Sequence, residues 1–178
     1  MMLGLKRGIV ALYDHEISWE ENAALTMEKL QKIFGAAAKD MQHVGSTSIV
    51  RIKAKPIIDI AVAVNSFADV YPLIPLLEAE GIRHGPENDQ PWQVFFFCGN
   101  DREDTRTHHI HVVKTDSREW RDYINFRDYL NACPEAAGEY ETVKRQLGQK
   151  YQNDRLAYTE GKDAFVKKVL LDALAWRN

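Results

Sequence analysis

The sequence predicts a mixed α/β fold, an α+β arrangement in which helices flank a mixed β-sheet and the C-terminal third is helical. Three observations support this. Residues 57–64 are rich in β-branched side chains and apolar on both alternations except at Asp59, which is typical of a central strand. Two apolar segments, 92–98 and 107–114, are joined by a polar turn and predict an antiparallel hairpin. From Ser117 onward the apolar pattern is helical.

Length and composition indicate a single domain over residues 1–178. Hydrophobic residues make up 45% of the chain and charged residues 28%, values typical of a protein that folds around one core. The two cysteines, Cys98 and Cys133, lie far apart and form no metal-binding motif, which favours the reducing cytoplasm. No apolar stretch is long enough to span a bilayer, so no membrane partner is expected. The net charge of −3 disfavours nucleic acid and favours a small-molecule partner.

The first elements are a helix and an extended segment. Residues 19–34 place apolar side chains at helical spacing, with Ser18 as the expected N-cap and Gly35 as the stop. Residues 41–44 are expected to be extended. The small residues at 45–48 then break the chain.

The remaining elements follow the central strand. Residues 67–80 predict a second helix, which Ser66 would cap and Gly81 would end, and a loop is expected at 84–91. After the hairpin, Pro134 suits the first position of a helix, where its missing N–H costs least. The helical third is expected to contain helices at 120–131, 135–151 and 159–177.

The segment with the clearest chemistry joins a Gly-Ser turn to the central strand. Gly45 and Ser46 expose backbone N–H groups and a hydroxyl without a bulky side chain, which suits the close approach of a phosphate. Asp59 is the one charge in a strand built for burial, so it must reach the strand end, pair with a cation or bind a metal. The simpler interpretation is an ordinary turn and a carboxylate that caps a helix or pairs with Lys55 or an arginine.

A second candidate cluster is the histidine-rich strand. His109 and His111 are two residues apart and would project from one face, while His108 would project from the other. The pair could converge on one ion or phosphate, and imidazoles favour Zn²⁺, Mn²⁺ or Fe²⁺ over Mg²⁺. The alternative is one histidine packed in the core and the others in solvent. His111 is the first choice for a functional role and His109 the second.

Several basic residues could contact a triphosphate: Lys55, Arg102, Arg106, Arg127 and Lys162. Arg102 and Arg106 flank the hairpin turn and could swing over a nucleotide. Tyr158 and Lys162 are four residues apart and would share one helix face. The alternative for these two residues is an ordinary surface pair.

The segment HVGSTSIVRIKAKPIIDI resembles the signature of the GrpB family, which belongs to the nucleotidyltransferase superfamily. Further blocks match in the family's order: WEENAALTMEKLQKIFG, VFFFCG, HHIHVVK, EWRDYINFRDYLNACPEAAGEYETVKRQL and YTEGKDAFV. The resemblance covers almost the whole chain and implies a nucleotidyltransferase-like fold.

The resemblance also implies a chemistry. In active members of the superfamily, the turn holds the nucleotide's phosphates and neighbouring carboxylates hold one or two divalent ions, which promote attack on the α-phosphate as pyrophosphate leaves. It assigns phosphate binding to Gly45, Ser46 and Thr47, and the first carboxylate to Asp59. The second carboxylate of the usual pair falls at Ala61.

The expected function is therefore metal-dependent transfer of a nucleoside monophosphate from an NTP to an unidentified small-molecule acceptor. Asp59 and His111 are the expected catalytic residues, and Asp59, His109 and His111 the expected ligands of Mg²⁺ or Mn²⁺, with Zn²⁺ as an alternative. The expected nucleotide site also includes Lys55, Arg106, Tyr158 and Lys162. Because Ala61 removes an oxygen ligand and weakens a Mg²⁺ site, the alternative is a degenerate module that binds a nucleotide, a phosphorylated ligand or a protein partner without turnover.

Overall fold

The computed structural model describes residues 2–177, and its centre is a five-stranded mixed sheet. Across the sheet the strands are β2 (Ala38–Val44), β3 (Ile58–Val64), β7 (His108–Lys114), β5 (Gln93–Cys98) and β4 (Arg83–His84). Neighbours β3 and β7 run parallel, and the other pairs run antiparallel. The predicted fold class, the central strand and the hairpin of β5 and β7 are confirmed.

Helices from the N-terminal half cover one face of this sheet. The main core packs α1 (Ile17–Phe34) and the short α2 (Ile74–Ala79) against the even-numbered residues of β3, namely Ile58, Ile60, Val62 and Val64. Side chains alternate along a strand. The odd-numbered Asp59 and Ala61 therefore face the opposite side of the sheet.

The C-terminal helices stand on that opposite side. They are α3 (Arg118–Ala132), α4 (Pro134–Lys150), α5 (Arg155–Gly161) and α6 (Asp163–Arg177). Helix α3 contacts β2, β3 and β7, and a second core joins the segment after the Gly-Ser turn to α3, α4 and α6. Pro134 is the first residue of α4, as expected. A two-stranded sheet formed by β1 (Leu5–Lys6) and β6 (Thr105–Arg106) completes the fold.

Two predicted details of the first helix and its cap are corrected. Helix α1 begins at Ile17, with Glu16 at the N-cap position. Ser18 lies inside the first turn, where its hydroxyl donates a hydrogen bond to the Glu16 carboxylate at 3.1 Å. Gly35 ends the helix with φ +51°, as its lack of a side chain allows.

The predicted second helix is much shorter than the apolar spacing suggests. Segment 67–80 forms two short 3-10 turns followed by α2, because Pro72 and Pro75 lack the N–H groups that a continuous helix needs. Ser66 does act as a cap, and its hydroxyl oxygen accepts from the Ala68 N–H at 3.2 Å.

The predicted last helix and the predicted loop also differ from the structure. The last helix is divided into α5 and α6 at Lys162, whose N–H bonds to the Thr159 carbonyl three residues back. The loop expected at 84–91 begins with the end of β4 and contains a 3-10 turn. Within the described residues, none of the helices is both long and apolar enough to cross a bilayer.

Candidate active site

The Gly-Ser turn at the end of β2 lies directly over Asp59. Val44 pairs with Asp59 across the β2–β3 ladder, and Gly45 then adopts φ +70° and ψ −168°, a conformation that side-chain-bearing residues rarely take. A Cβ atom on Gly45 would lie 2.4 Å from Asp59 Oδ2. Glycine is therefore needed here both for its backbone conformation and for the close approach of the carboxylate.

Asp59 and the two histidines meet because of the parallel register of β3 and β7. Asp59 pairs with His109, and Ala61 pairs with His111. Asp59 Oδ1 lies 3.2 Å from His109 Nδ1 and 3.3 Å from His111 Nε2. As the spacing predicts, both histidines project from one face of the strand. We call Asp59, His109 and His111 the triad.

His108 occupies the opposite face, as expected. Its Nε2 lies 3.2 Å from Thr26 Oγ1 on α1, and burial lowers its pKa to about 4. His108 is therefore an uncharged core histidine. Of the three histidines, it is the one to which the alternative of a histidine packed in the core applies.

The electrostatics of the triad suit metal binding. Burial acts to raise the pKa of Asp59, but hydrogen bonds to His109 and His111 outweigh it, and the pKa lies well below its usual range. Burial lowers the pKa of His109, against the opposing effect of Asp59. At neutral pH an ionised carboxylate thus lies beside a neutral imidazole, the protonation states that a metal requires. One ligand atom from each residue lies within 4.8 Å of the others, so the triad fits a single divalent ion.

His111 is held in place by two residues that the sequence did not predict. The Gln93 side-chain oxygen lies 2.9 Å from His111 Nδ1 and accepts a hydrogen bond from the Tyr123 hydroxyl at 3.1 Å. A partner on Nδ1 orients the ring and turns Nε2 toward Asp59. Gln93 could have been predicted from the sequence, because it is a polar residue at the start of an apolar strand. Tyr123 carried no such signal, because its spacing fits an apolar helix face.

Two lysines contact the same buried aromatic ring beside the triad. Lys55 Nζ lies 5.0 Å and Lys162 Nζ 4.7 Å from the ring centre of Tyr158, which is 1% exposed. Burial, reinforced by Arg155, lowers the pKa of Lys55 to about 7. Neither lysine has a carboxylate partner among residues 2–177. Tyr158 and Lys162 share a face as predicted, but the buried ring excludes an ordinary surface pair.

Two adjoining cavities open onto the triad. The aromatic cavity, of about 450 Å³, has Gly45, Ser46, Asp59 and His111 at its polar end and Trp92, Tyr123, Phe126 and Tyr140 in its walls. The lysine cavity, of about 190 Å³, is lined by Ser46, Lys55, Asp59, Arg155 and Lys162 among others. Ser46 and Asp59 belong to both cavities, so a ligand in one adjoins a ligand in the other.

Thr47 and Arg106 lie outside these two cavities. Thr47 is 1% exposed, and its hydroxyl lies 2.9 Å from His43 Nε2. The Arg106 guanidinium stacks on the Phe97 ring at 4.0 Å.

Arg127 and Arg102, the other two arginines predicted to contact a triphosphate, also lie outside these two cavities. Arg127 donates to the Gln42 side chain and the His43 carbonyl, at 2.8 and 3.1 Å, so it joins α3 to β2. Arg102 is exposed in the hairpin turn.

Two further residues reach the site from the helical third without having been predicted. The Tyr140 hydroxyl lies 3.3 Å from Ser46 Oγ, and Arg155 donates to His109 Nε2 at 3.2 Å. Both come from segments far along the chain, and no local pattern marks them.

The fold is nucleotidyltransferase-like. A crystal structure of the Cid1 poly(U) polymerase with MgGTP bound is similar to this chain with a TM-score of 0.52 and 11% identity, over 78% of this chain and 44% of that one. At this identity the likeness concerns the fold alone.

The sequence comparison then narrows the class. The profile of the GrpB protein family matches residues 9–171. Glutamate-rich protein GrpB of Alkalihalophilus pseudofirmus is 40% identical over 171 residues, which cover 95% of this chain and 98% of that relative. The crystal structure of conserved protein GrpB from Enterococcus faecalis is similar with a TM-score of 0.86 and 30% identity, over 94% of this chain and 99% of that one. The chain belongs to the GrpB family, as its sequence motifs predict.

Proposed function

We propose that the protein transfers a nucleoside monophosphate from an NTP to a small-molecule acceptor in a reaction that requires a divalent ion. The observation that carries this proposal is the position of the triad between the aromatic cavity and the lysine cavity, under the Gly-Ser turn. The nucleotidyltransferase fold supports it.

Each cavity suits a different part of a nucleotide. Tyr123, Phe126 and Tyr140 offer aromatic surface to a base in the larger cavity. Lys55 and Lys162 offer unpaired positive charge to phosphates in the smaller one, where the Ser46 hydroxyl can donate a hydrogen bond. A nucleoside triphosphate that bridges the two cavities would pass its phosphates over Asp59.

Each residue of the site has a role in the proposed transfer. An acceptor oxygen forms a bond to the α-phosphorus, the bond to the bridging oxygen of the β-phosphate breaks, and pyrophosphate leaves with that electron pair while the acceptor's proton passes to water. Lys55 and Lys162 would stabilise the charge that collects on the pyrophosphate. Asp59, His109 and His111 would hold the divalent ion, which when bound neutralises charge at the α-phosphate. The two imidazoles favour Mn²⁺ or Zn²⁺ over Mg²⁺.

A second candidate function rests on Ala61. This residue faces the same side of β3 as Asp59 and is fully buried, so the site lacks the second carboxylate of a two-ion centre. A protein with this site could bind a nucleotide or another phosphorylated ligand without turning it over.

Two experiments separate these functions. The first is titration calorimetry with ATP, GTP, CTP and UTP, each with Mg²⁺, with Mn²⁺ and with EDTA. The second is a pyrophosphate-release assay under the same conditions. Ion-dependent binding with pyrophosphate release supports transfer. Binding without release supports the second function. No binding of any nucleotide would refute the transfer and would restrict the second function to a phosphorylated ligand that is not a nucleotide. Asp59→Asn should abolish the ion dependence. Asp122→Asn is the matched control, because Asp122 lines the aromatic cavity outside the triad and pairs with Arg118.

We also propose that the protein works in the cytoplasm. Cys98 and Cys133 are both free thiols in the structure, which is the usual state in a reducing compartment. Fractionation of cells that express a tagged chain would test this location.

A further inference from the structure

A third cavity lies on the His109 side of the triad, whereas the aromatic cavity lies on the His111 side. We call it the arginine cavity. It has a volume of about 390 Å³, and its walls include Arg7, Arg106, His109 and Arg155 together with the rings of Phe95 and Phe97. A volume of this size suits a small organic molecule.

The charge of the arginine cavity is strongly positive. Its walls carry three arginines and one acidic residue, Glu87. Arg7 is neutralised by Asp104, with 3.0 Å between Arg7 Nε and Asp104 Oδ1. The other two arginines, Arg106 and Arg155, have no carboxylate partner among residues 2–177.

These two arginines are held in place but keep donors free. Arg106 is 8% exposed, stacks on Phe97 and makes one hydrogen bond, to the Thr105 carbonyl at 3.1 Å. Arg155 makes one, to His109 Nε2. A guanidinium has five N–H donors. Arg106 and Arg155 therefore present unused N–H donors and positive charge to the cavity, which suits an anion. Two positive charges without a carboxylate partner match a phosphate dianion better than a singly charged carboxylate.

In the proposed function, Lys55 and Lys162 bind the nucleotide's own phosphates in the lysine cavity. The arginine cavity adjoins the lysine cavity, because His109, Arg155 and Thr159 line both. Arg106, Phe95 and Phe97 line the arginine cavity and not the lysine cavity. A second substrate held by these residues would therefore lie beside the nucleotide's phosphates.

We propose that the arginine cavity binds a phosphate group of the acceptor, through Arg106 and Arg155, so that the acceptor is a phosphorylated small molecule with a nucleophilic hydroxyl. The transfer itself rests on the proposed function. The phosphate site can be tested apart from the transfer, because Arg106 lines neither the aromatic cavity nor the lysine cavity.

The test uses inorganic phosphate as the probe, titrated by calorimetry into the full chain with and without a saturating NTP. Arg106→Gln and Arg155→Gln should each weaken phosphate binding by about tenfold or more, the loss expected for a charge-assisted hydrogen bond. Arg83→Gln is the matched control and should change binding less than about twofold, within the range of surface substitutions. Arg83 also lies over Phe97, at 4.8 Å, but it pairs with Asp101 and does not line the cavity.

The outcomes separate the two proposals. Phosphate binding that depends on Arg106 and persists with NTP bound supports the acceptor site. If the NTP displaces this phosphate, the arginines hold the nucleotide's own phosphates and the inference is wrong. Binding that ignores Arg106 and Arg155 also overturns it. If no NTP binds but Arg106-dependent phosphate binding remains, the proposed function fails and the phosphate site stands. Should Arg106→Gln fail to fold, Arg106→Lys, which keeps the charge, and Arg155→Gln decide the question.

Discussion

Replacing Gly45 with alanine tests the closest contact in the candidate site. The backbone at Gly45 has φ +70° and ψ −168°, and holding a residue with a side chain there costs about 1–3 kcal/mol. The new Cβ would lie 2.4 Å from Asp59 Oδ2 and 2.9 Å from Asp59 Cβ, and such overpacking adds about 1–3 kcal/mol. We expect Gly45→Ala to lower the free energy of unfolding by about 2–6 kcal/mol, a large part of a typical domain's stability.

Urea unfolding followed by tryptophan fluorescence measures this effect, since Trp19 is fully buried in the main core. Gly138→Ala is the matched control. Gly138 lies inside α4, and an added Cβ would meet no atom within 4 Å, so we expect a gain of about 0.5–1 kcal/mol from the better helix propensity of alanine.

A double-mutant cycle measures how much of the Gly45→Ala cost comes from the Asp59 carboxylate. Adding Asp59→Ala removes the carboxylate that the new methyl would strike and keeps the Asp59 Cβ at 2.9 Å. The cost of Gly45→Ala should therefore shrink by about 1 kcal/mol or more when Asp59 is already alanine. A cost below about 0.5 kcal/mol in the wild-type background, the range of ordinary surface changes, would refute the argument.

Three further predictions concern charge. Ala61→Asp places a second carboxylate beside Asp59, so we expect a lower melting temperature in EDTA, because like charges repel, and a larger stabilisation by Mg²⁺ or Mn²⁺ than in the parent; an unchanged response in scanning fluorimetry would show that Ala61 is not the vacant ligand position. Lys162→Ala should weaken triphosphate binding by about tenfold in calorimetry while the melting temperature barely changes, because its charge is unpaired; unaltered binding would remove it from the site. Lys144 is 1% exposed, and burial lowers its pKa from 10.5 to about 7. Between these values the unfolded chain binds a proton that the folded chain does not, so wild-type stability should rise with pH relative to Lys144→Met, by up to about 1.4 kcal/mol per pH unit. Parallel unfolding free energies at pH 7, 8 and 9 would contradict this.

Local patterns predicted the four longest strands, β2, β3, β5 and β7, and the residues at the centre of the candidate site. A side chain's face on a strand depends only on the two-residue period, so the spacing of His109 and His111 was enough to put both on one face. The apolar run around Asp59 marked a buried strand in the same way. The prolines that interrupt the second helix, Pro72 and Pro75, are also local signals, and the prediction of one helix over 67–80 gave them too little weight.

The surroundings of the triad depended on contacts between distant segments. Gln93 contacts His111 across 18 residues of chain, Tyr123 donates to Gln93 across 30, and Arg155 reaches His109 across 46. Arg106 stacks on Phe97 and faces a cavity of its own because of how the hairpin folds, which its place in the turn did not indicate.

The division between sequence and structure has a physical reason. The sequence by itself determined the fold class, the Gly-Ser turn and the residues Asp59, His109 and His111, because backbone periodicity and the steric freedom of glycine act over a few residues. The tertiary structure decided that Asp59 pairs with His109 and that three cavities surround them. Strand register and helix packing depend on the whole core, so only the folded chain determines which faces meet.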